Sequence, residues 1–331
     1  MEHYDKKLCK LSEELFDILS SSLPLDSKRL TGSSKDGTMV ARWFKDPFGT
    51  THIEWDIEYD YNVIEMDKYR IEEVQGHPGY VRVYRLDEGN TGTEKKIDGR
   101  KFRQSLIEKL QSLVLRKENK IKRTIGRMFP DTETYEIEIH EPRIEGVSVV
   151  LEITCPGFKF SCDNIATIRC KDYVPERVYS WSSLFSLNRE KVNIIKEQGC
   201  NIVPKPLPGN EHTWRISLSR AESSVISNFS RQQYLAYFIS KVLFYGHKIE
   251  LEMWLDLTSF MIKNTALHYF GTSNPNPDSG TPDYLEDVIP MTLGLLDCLS
   301  KALRSSHSND DGPFMEHFFL KGVNVLKDID T

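Results

Sequence analysis

Ile53-Glu54-Trp55-Asp56-Ile57-Glu58-Tyr59-Asp60-Tyr61 sets apolar and acidic residues in alternation. A strand sends residues i and i+2 to one face, roughly 6–7 Å apart, so Glu54 and Asp56 can grip one pair of divalent ions. About twenty residues upstream, LTGSSKDGT carries the turn Gly32-Ser33. A small residue with free backbone N–H groups lets a triphosphate approach closely, and the Ser33 hydroxyl adds a donor. An acid pair following such a turn suits metal-assisted transfer of a nucleotide. Each half has a plainer alternative, because Gly-Ser pairs mark ordinary turns and alternating acids mark solvated strand faces.

The chain of 331 residues, 39% hydrophobic, is long enough for a large core and for two lobes. A globular, soluble, cytoplasmic protein is expected. No apolar run reaches the ~20 residues of a bilayer span, and the opening MEHYDKKLCKLSEELFDIL reads as amphipathic rather than as a signal peptide. Cys9, Cys155, Cys162, Cys170, Cys200 and Cys298 are scattered, without a CxxC pair, and read as reduced thiols with no zinc site. The net charge of −6 averages unlike parts. Between Lys95 and Arg127 stand twelve Lys and Arg against three acids, a local charge of +9. Such a stripe either solvates a helix or holds a polyanion.

Periodicity predicts a helix over residues 4–22, strands over His52–Ile64 and Tyr80–Leu86, and a helix over Lys101–Ile121. Strands follow over Glu133–His140, Val147–Thr154 and Phe158–Cys170, then helices over Arg231–Tyr245, Leu251–Phe270 and Tyr284–Leu303. Polar, Pro-rich stretches at 274–282 and 305–312 read as loops. The expected fold class is α+β: a mixed α/β catalytic lobe over residues 1–226 and a helical lobe over 227–331.

A third acid is available. Phe158-Lys159-Phe160-Ser161-Cys162-Asp163 alternates, which places Asp163 opposite Phe158 and Phe160, near the end of a strand able to lie beside the Glu54 strand. Three carboxylates on neighbouring strands are what two-metal phosphoryl transfer needs. Farther on stands His212-Thr213-Trp214-Arg215-Ile216-Ser217-Leu218-Ser219-Arg220-Ala221-Glu222. This segment resembles the signature of the male-abnormal (mab) domain family, whose best-known enzyme branch is cyclic GMP–AMP synthase and the animal receptors like it. The Gly-Ser turn, the Glu-x-Asp pair, the third Asp, the Trp-Arg-x-Ser motif, SFMIKNTALHYF at Ser259–Phe270 and HFFLKGVNVL from His317 occur in the family's order.

The resemblance implies that Glu54, Asp56 and Asp163 hold two Mg²⁺ or Mn²⁺ ions and that Gly32 and Ser33 meet nucleotide phosphate. It implies that Arg215, Ser217, Ser219 and Glu222 lie near the acceptor nucleotide, Lys241 and Ser259 near phosphate, and Phe260 on a base. Glu58 and Asp60 extend the acidic strand, so a shifted pair, Asp56 and Glu58, is open, although the Glu-x-Asp match favours Glu54 and Asp56. Trp214, Lys241 and Phe260 also have plain readings, as core, a snorkelling lysine and a buried ring. The family's vertebrate DNA sensor has a His/Cys zinc insertion after the Trp-Arg motif, whereas AESSVISNFSRQQYLAYF here runs through without one.

The expected activity is therefore that of the zinc-free receptors. Double-stranded RNA on Lys109, Arg116, Lys117, Lys120, Lys122 and Arg123 activates conversion of ATP and GTP into a cyclic dinucleotide for a downstream receptor, in innate antiviral signalling. The alternative is an inactive interaction or developmental protein of the same family, and a template-independent RNA-tailing polymerase is a third class.

Overall fold

The computed structural model describes residues 10–11, 13–15, 17–19, 27–30, 42–45, 51–64, 69–86, 94–130, 136–156, 158–170, 173–179, 186–207, 209–246, 258–271, 284–304 and 314–326, with backbone alone over 27–30, 42–45, 51–64, 86, 94, 177, 179, 186–189, 245–246 and 284–286. Gly32, Ser33, the expected loops at 274–282 and 305–312, and the expected elements over 133–135 and 251–257 lie outside these residues. Contacts gather the chain into two compact units. One holds Met1–Glu72, Tyr80–Cys170 and Asn201–Ser217; the other holds Glu73–Gly79, Lys171–Cys200 and Leu218–Thr331. The expected division was a single cut after residue 226. The observed units interleave because strands distant in sequence join one sheet.

The strands of that sheet are β1 (Ser27–Leu30), β2 (Arg42–Lys45), β3 (Thr51–Ile64), β4 (Tyr69–Glu73), β5 (Tyr80–Leu86), β6 (Glu94–Lys96), β7 (Glu138–Ile139), β8 (Arg143–Glu145), β9 (Ser148–Cys155), β10 (Phe158–Cys170), β11 (Cys200–Val203) and β12 (Thr213–Ser217). The main path runs β1-β3-β10-β11-β12-β5-β4, with β2 on β3, β6 on β5, and β9 joining β10 to β7 and β8. Strand β10 pairs parallel to β3 and antiparallel to β9. Residues Thr154 and Phe158 flank the expected Cys-Pro-Gly turn, which lets β9 and β10 fold back on each other.

Helix α1 (Gly99–Met128) begins two residues earlier and ends seven later than its apolar periodicity predicts. The Asp98 side chain accepts a hydrogen bond from the Arg100 N–H at 2.9 Å, satisfying one of the free donors of the first turn. Leu106, Leu110, Leu113, Val114, Ile121 and Ile125 form its buried face. They share a core with Leu11, Leu15, Ile18 and Leu19 of the helical N-terminal segment and with Leu151, Ile153, Phe158, Phe160 and Cys162 of the sheet. The strand expected over Glu133–His140 is reduced, within the described residues, to Glu138–Ile139. A further short strand, Arg143–Glu145, also pairs with β9.

Trp214 is a core residue of this first unit, fully buried, with Nε1 donating to the Ile97 carbonyl at 3.2 Å. Its ring stands edge-on to Phe102, with centroids 5.3 Å apart. Burial pushes the Cys155 thiol up to about 12, so it stays protonated and inert.

The helices of the second unit are α2 (Glu176–Tyr179), α3 (Ser186–Gln198), α4 (Ser219–Ile226), α5 (Arg231–Gly246), α6 (Ser259–Phe270) and α7 (Tyr284–Arg304). Among the described residues no helix is long and apolar enough to cross a membrane. On α3, Lys191 donates to the Phe318 carbonyl at 2.7 Å and lies 3.7 Å from the centre of the Phe318 ring. Burial lowers its pKa to about 8, against a smaller opposing pull from Glu316. An unfolded lysine keeps its proton to about 10.4, so between these values the unfolded state holds more protons and stability rises with pH. Replacing Lys191 by Met should therefore flatten the rise in melting temperature between pH 8 and pH 10; an unchanged slope would mean the lysine titrates normally in the fold.

Candidate active site

The parallel register of β3 and β10 fixes the candidate site. Phe158, Phe160 and Cys162 stand level with Ile53, Trp55 and Ile57 and belong to the core shared with α1. The alternate positions therefore form the opposite face of the sheet. There Lys159 is level with Glu54, Ser161 with Asp56, and Asp163 with Glu58. Asp163 sits at the sixth of the thirteen positions of β10, so it is mid-strand rather than near the strand end as expected. Its side chain is half-buried.

An acid that the sequence reading missed, Glu152 of β9, stands level with Ser161 on this same face. Burial would raise its pKa, but hydrogen bonds from Lys159 at 2.8 Å and Arg143 at 3.1 Å outweigh that and hold it below the ordinary value. Its signal in the sequence is a single charge in the apolar run VVLEIT.

Carboxylate oxygens are hard donors suited to Mg²⁺ and Mn²⁺. The register brings acidic positions of two adjacent strands to one level of one face, and that donor set fits such ions. Among the described residues no three His, Cys, Asp or Glu side chains gather as a metal site, and the β3 side chains lie outside that description.

Residues 54–228 match the family model described as the Mab-21 protein nucleotidyltransferase domain. The chain belongs to the Mab-21 family. The match begins at Glu54 and takes in both strands of the acidic face, the whole of α1 and the Trp-Arg motif. The protein thus carries a Mab-21 nucleotidyltransferase domain.

The remaining predicted residues divide between the two units. Arg215 and Ser217, both half-buried on β12, stand level with Val203 and Asn201 of β11. Ser219, Glu222, Lys241, Ser259 and Phe260 belong to the second unit. Ser219 opens α4, and its buried Oγ has no hydrogen-bond partner among the described residues. Glu222 is buried, with Lys263 Nζ at 3.1 Å and His317 Nε2 at 3.6 Å. The His317 ring in turn lies 5.8 Å from that of Phe260, so Glu222 and Phe260 share one neighbour. Lys241 is 1% exposed, its Nζ 5.8 Å from the Tyr237 ring centre. Ser259 opens α6 and is half-buried.

Lys263 and His317 have no role in the sequence reading. The signal for Lys263 is a lone cation in the largely apolar run SFMIKNTALHYF.

The six cations of α1 expected at nucleic acid separate into two groups. Lys109, Arg116, Lys120 and Arg123 are all exposed, and spacings of seven, four and three residues keep them on one flank of the helix. Their span is about 21 Å at helical rise. Lys117 and Lys122 are partly buried, and Lys122 lies 2.8 Å from Glu118. The stripe belongs to the helix packed on the core face of the sheet, so acids and cations occupy opposite sides of it.

The buried ion pair makes a prediction of its own. Glu222→Gln leaves the Lys263 ammonium facing a neutral amide at a site where both side chains are under a tenth exposed. Removing one partner of such a pair costs about 3–5 kcal/mol. Denaturant unfolding of the variant should show a loss of this order, whereas a loss below about 1 kcal/mol would mark Glu222 as a ligand contact rather than a structural one.

Proposed function

We propose that this Mab-21 domain is a working nucleotidyltransferase that joins ATP and GTP into a cyclic dinucleotide and is switched on by double-stranded RNA. The observation that carries the reading is the level pairing of β10 with β3, which sets Asp163 on the same sheet face as the β3 acids. Asp56 and Asp163, with a second carboxylate of β3, would hold two Mg²⁺ or Mn²⁺ ions. When bound, those ions neutralise the charge of the triphosphate and favour ionisation of the attacking hydroxyl. The chain's own part is to orient the nucleotides: Gly32 and Ser33 at phosphate, Arg215 and Ser217 at the acceptor, Phe260 against a base.

RNA as activator is supported by the exposed stripe of Lys109, Arg116, Lys120 and Arg123 on an otherwise acidic chain. Phosphate contacts from such a stripe give salt-dependent, largely sequence-indifferent binding. Only residues 227–230 connect α4 and α5, which suits a ligand of the zinc-free kind. The product would serve a downstream cyclic dinucleotide receptor in antiviral signalling in the cytoplasm. The rival reading, a non-catalytic interaction protein, draws on the burial of Glu222 and Lys241, two positions expected at nucleotide.

Labelled ATP and GTP incubated with the protein, Mg²⁺ or Mn²⁺, and either double-stranded RNA or DNA should yield a cyclic dinucleotide with RNA. A linear tailed product, or none under every condition, sinks the proposal. Converting Lys120 and Arg123 to Gln should lower RNA-stimulated synthesis and reduce the slope of log K against log salt by about two. Equal slopes for variant and parent would remove the stripe from the RNA-binding surface.

A further inference from the structure

On helix α7, Ile289 and Leu293 stand one turn apart and are 60% and 61% exposed. A lone exposed leucine is ordinary, but these two are joined by the exposed Pro290 and the half-buried Leu296 into one apolar stripe. The opposite face of the helix is already in use. Val288, Thr292, Leu295 and Leu299 are buried, and α7 packs on α5 and α6. At about 100° per residue, Ile289, Leu293 and Ser300 fall within about 40° of a single line along the outer face. Position 286 and Arg304 lie on the same line, at its two ends.

Those ends are chemically unlike. Pro290 lies inside the helix and has no N–H, so the Glu286 carbonyl has no donor at i+4. The exposed Asp287 carboxylate adds a second acceptor next to it. At the other end stand the exposed donors Lys301 and Arg304. Between them Asp297 and Lys301 form an ion pair at 2.6 Å, which leaves the middle of the face near neutral. Acceptors at one end, donors at the other and an apolar centre make this face complementary to itself.

We infer that α7 is a self-association surface on which two copies of this chain pair antiparallel through Ile289, Leu293 and Leu296. A two-fold axis near position 295 brings Arg304 of each copy to the Glu286 carbonyl and Asp287 of the other. Such self-complementarity is what a two-fold contact requires. A parallel copy would set acid on acid and cation on cation, and antiparallel helices also oppose their dipoles favourably. A flat anionic lipid surface would meet the acidic end as well as the basic one. The contact from position 286 to Arg304 is about 27 Å long and about 10–12 Å wide, well short of the ~800 Å² per partner of a standard interface. Association is therefore weak and reversible, with a dissociation constant on the order of tens of micromolar. The surface lies wholly within the second unit and stands apart from the nucleotidyltransferase reading.

The test is sedimentation velocity of the full chain, without nucleotide or RNA, from about 1 to about 200 µM. The parent should pass reversibly from monomer to dimer. Leu293→Glu should weaken the dimer about tenfold or more, with an unchanged circular dichroism spectrum because the side chain is exposed. Arg304→Glu, which sets acid against acid, should weaken it about fivefold, and Asp287→Arg combined with Arg304→Glu should return it to within about threefold of the parent. A parent that stays monomeric throughout overturns the inference, and so does a dimer untouched by Leu293→Glu. Failure of the double reversal to restore what Arg304→Glu loses overturns the antiparallel pairing. A monomeric parent that floats with phosphatidylserine-containing vesicles, and loses this with Leu293→Glu, gives the face to a lipid surface instead.

Discussion

The parallel ladder between β3 and β10 is the constraint on which the rest of this domain depends. Its long register, from Phe158 against Ile53 to Ile168 against Ile64, decides at once which residues face α1 and which face away. A slip of one residue would exchange the two sets, carrying Asp163 into the apolar core and Phe160 out of it. The core side is heavily committed: Phe158, Phe160 and Cys162 pack in one cluster with the N-terminal segment and α1. The hydrophobic packing of α1 therefore sets the register that aligns carboxylates on the other face. The alignment of acidic positions is a by-product of core packing, and β9, pairing on the far side of β10, makes slippage costlier still.

Charge follows the same division. An average of −6 conceals a strand row of acids and a helix row of cations on opposite sides of one sheet. Separation by a sheet keeps the two from neutralising each other. In the second unit the polar groups serve the interior. Lys263 and His317 close on Glu222, and Asn264 donates to the Glu316 carbonyl while accepting from the Phe318 N–H, both at 2.8 Å. Such a satisfied network fixes how α4, α6 and the C-terminal segment pack.

Much of this was legible in the sequence, for physical reasons. Strands β5 and β10 match their predicted limits because long alternation of β-branched and aromatic residues has no helical counterpart. The buried face of α1 was readable from its apolar spacing, but its length depended on the Asp98 cap and on charged turns that periodicity does not score. Strands β11 and β12 were not legible because four or five residues carry too little pattern and acquire their pairing from the sheet. Helix α3 did have a signal, in Gly199 with φ of +71°, whose N–H closes the last turn on the Ile195 carbonyl at 2.7 Å. At the site, alternation alone does not choose among the acids at 54, 56, 58 and 60, and the preference for Glu54 and Asp56 came from the family resemblance. All four have the same spacing, while their level neighbours differ: Arg42 for Glu54, Ser161 for Asp56, Asp163 for Glu58 and Arg29 for Asp60.

The most direct test of the central claim is crystallographic: the full chain grown with Mn²⁺ and a non-hydrolysable nucleoside triphosphate, with data collected at the manganese absorption edge. The account predicts two anomalous peaks about 3.5–4 Å apart over the face that carries Asp56 and Asp163, each touching a carboxylate from β3 or β10. Peaks elsewhere in the molecule, or a bound triphosphate with no peak beside Asp163, would contradict it.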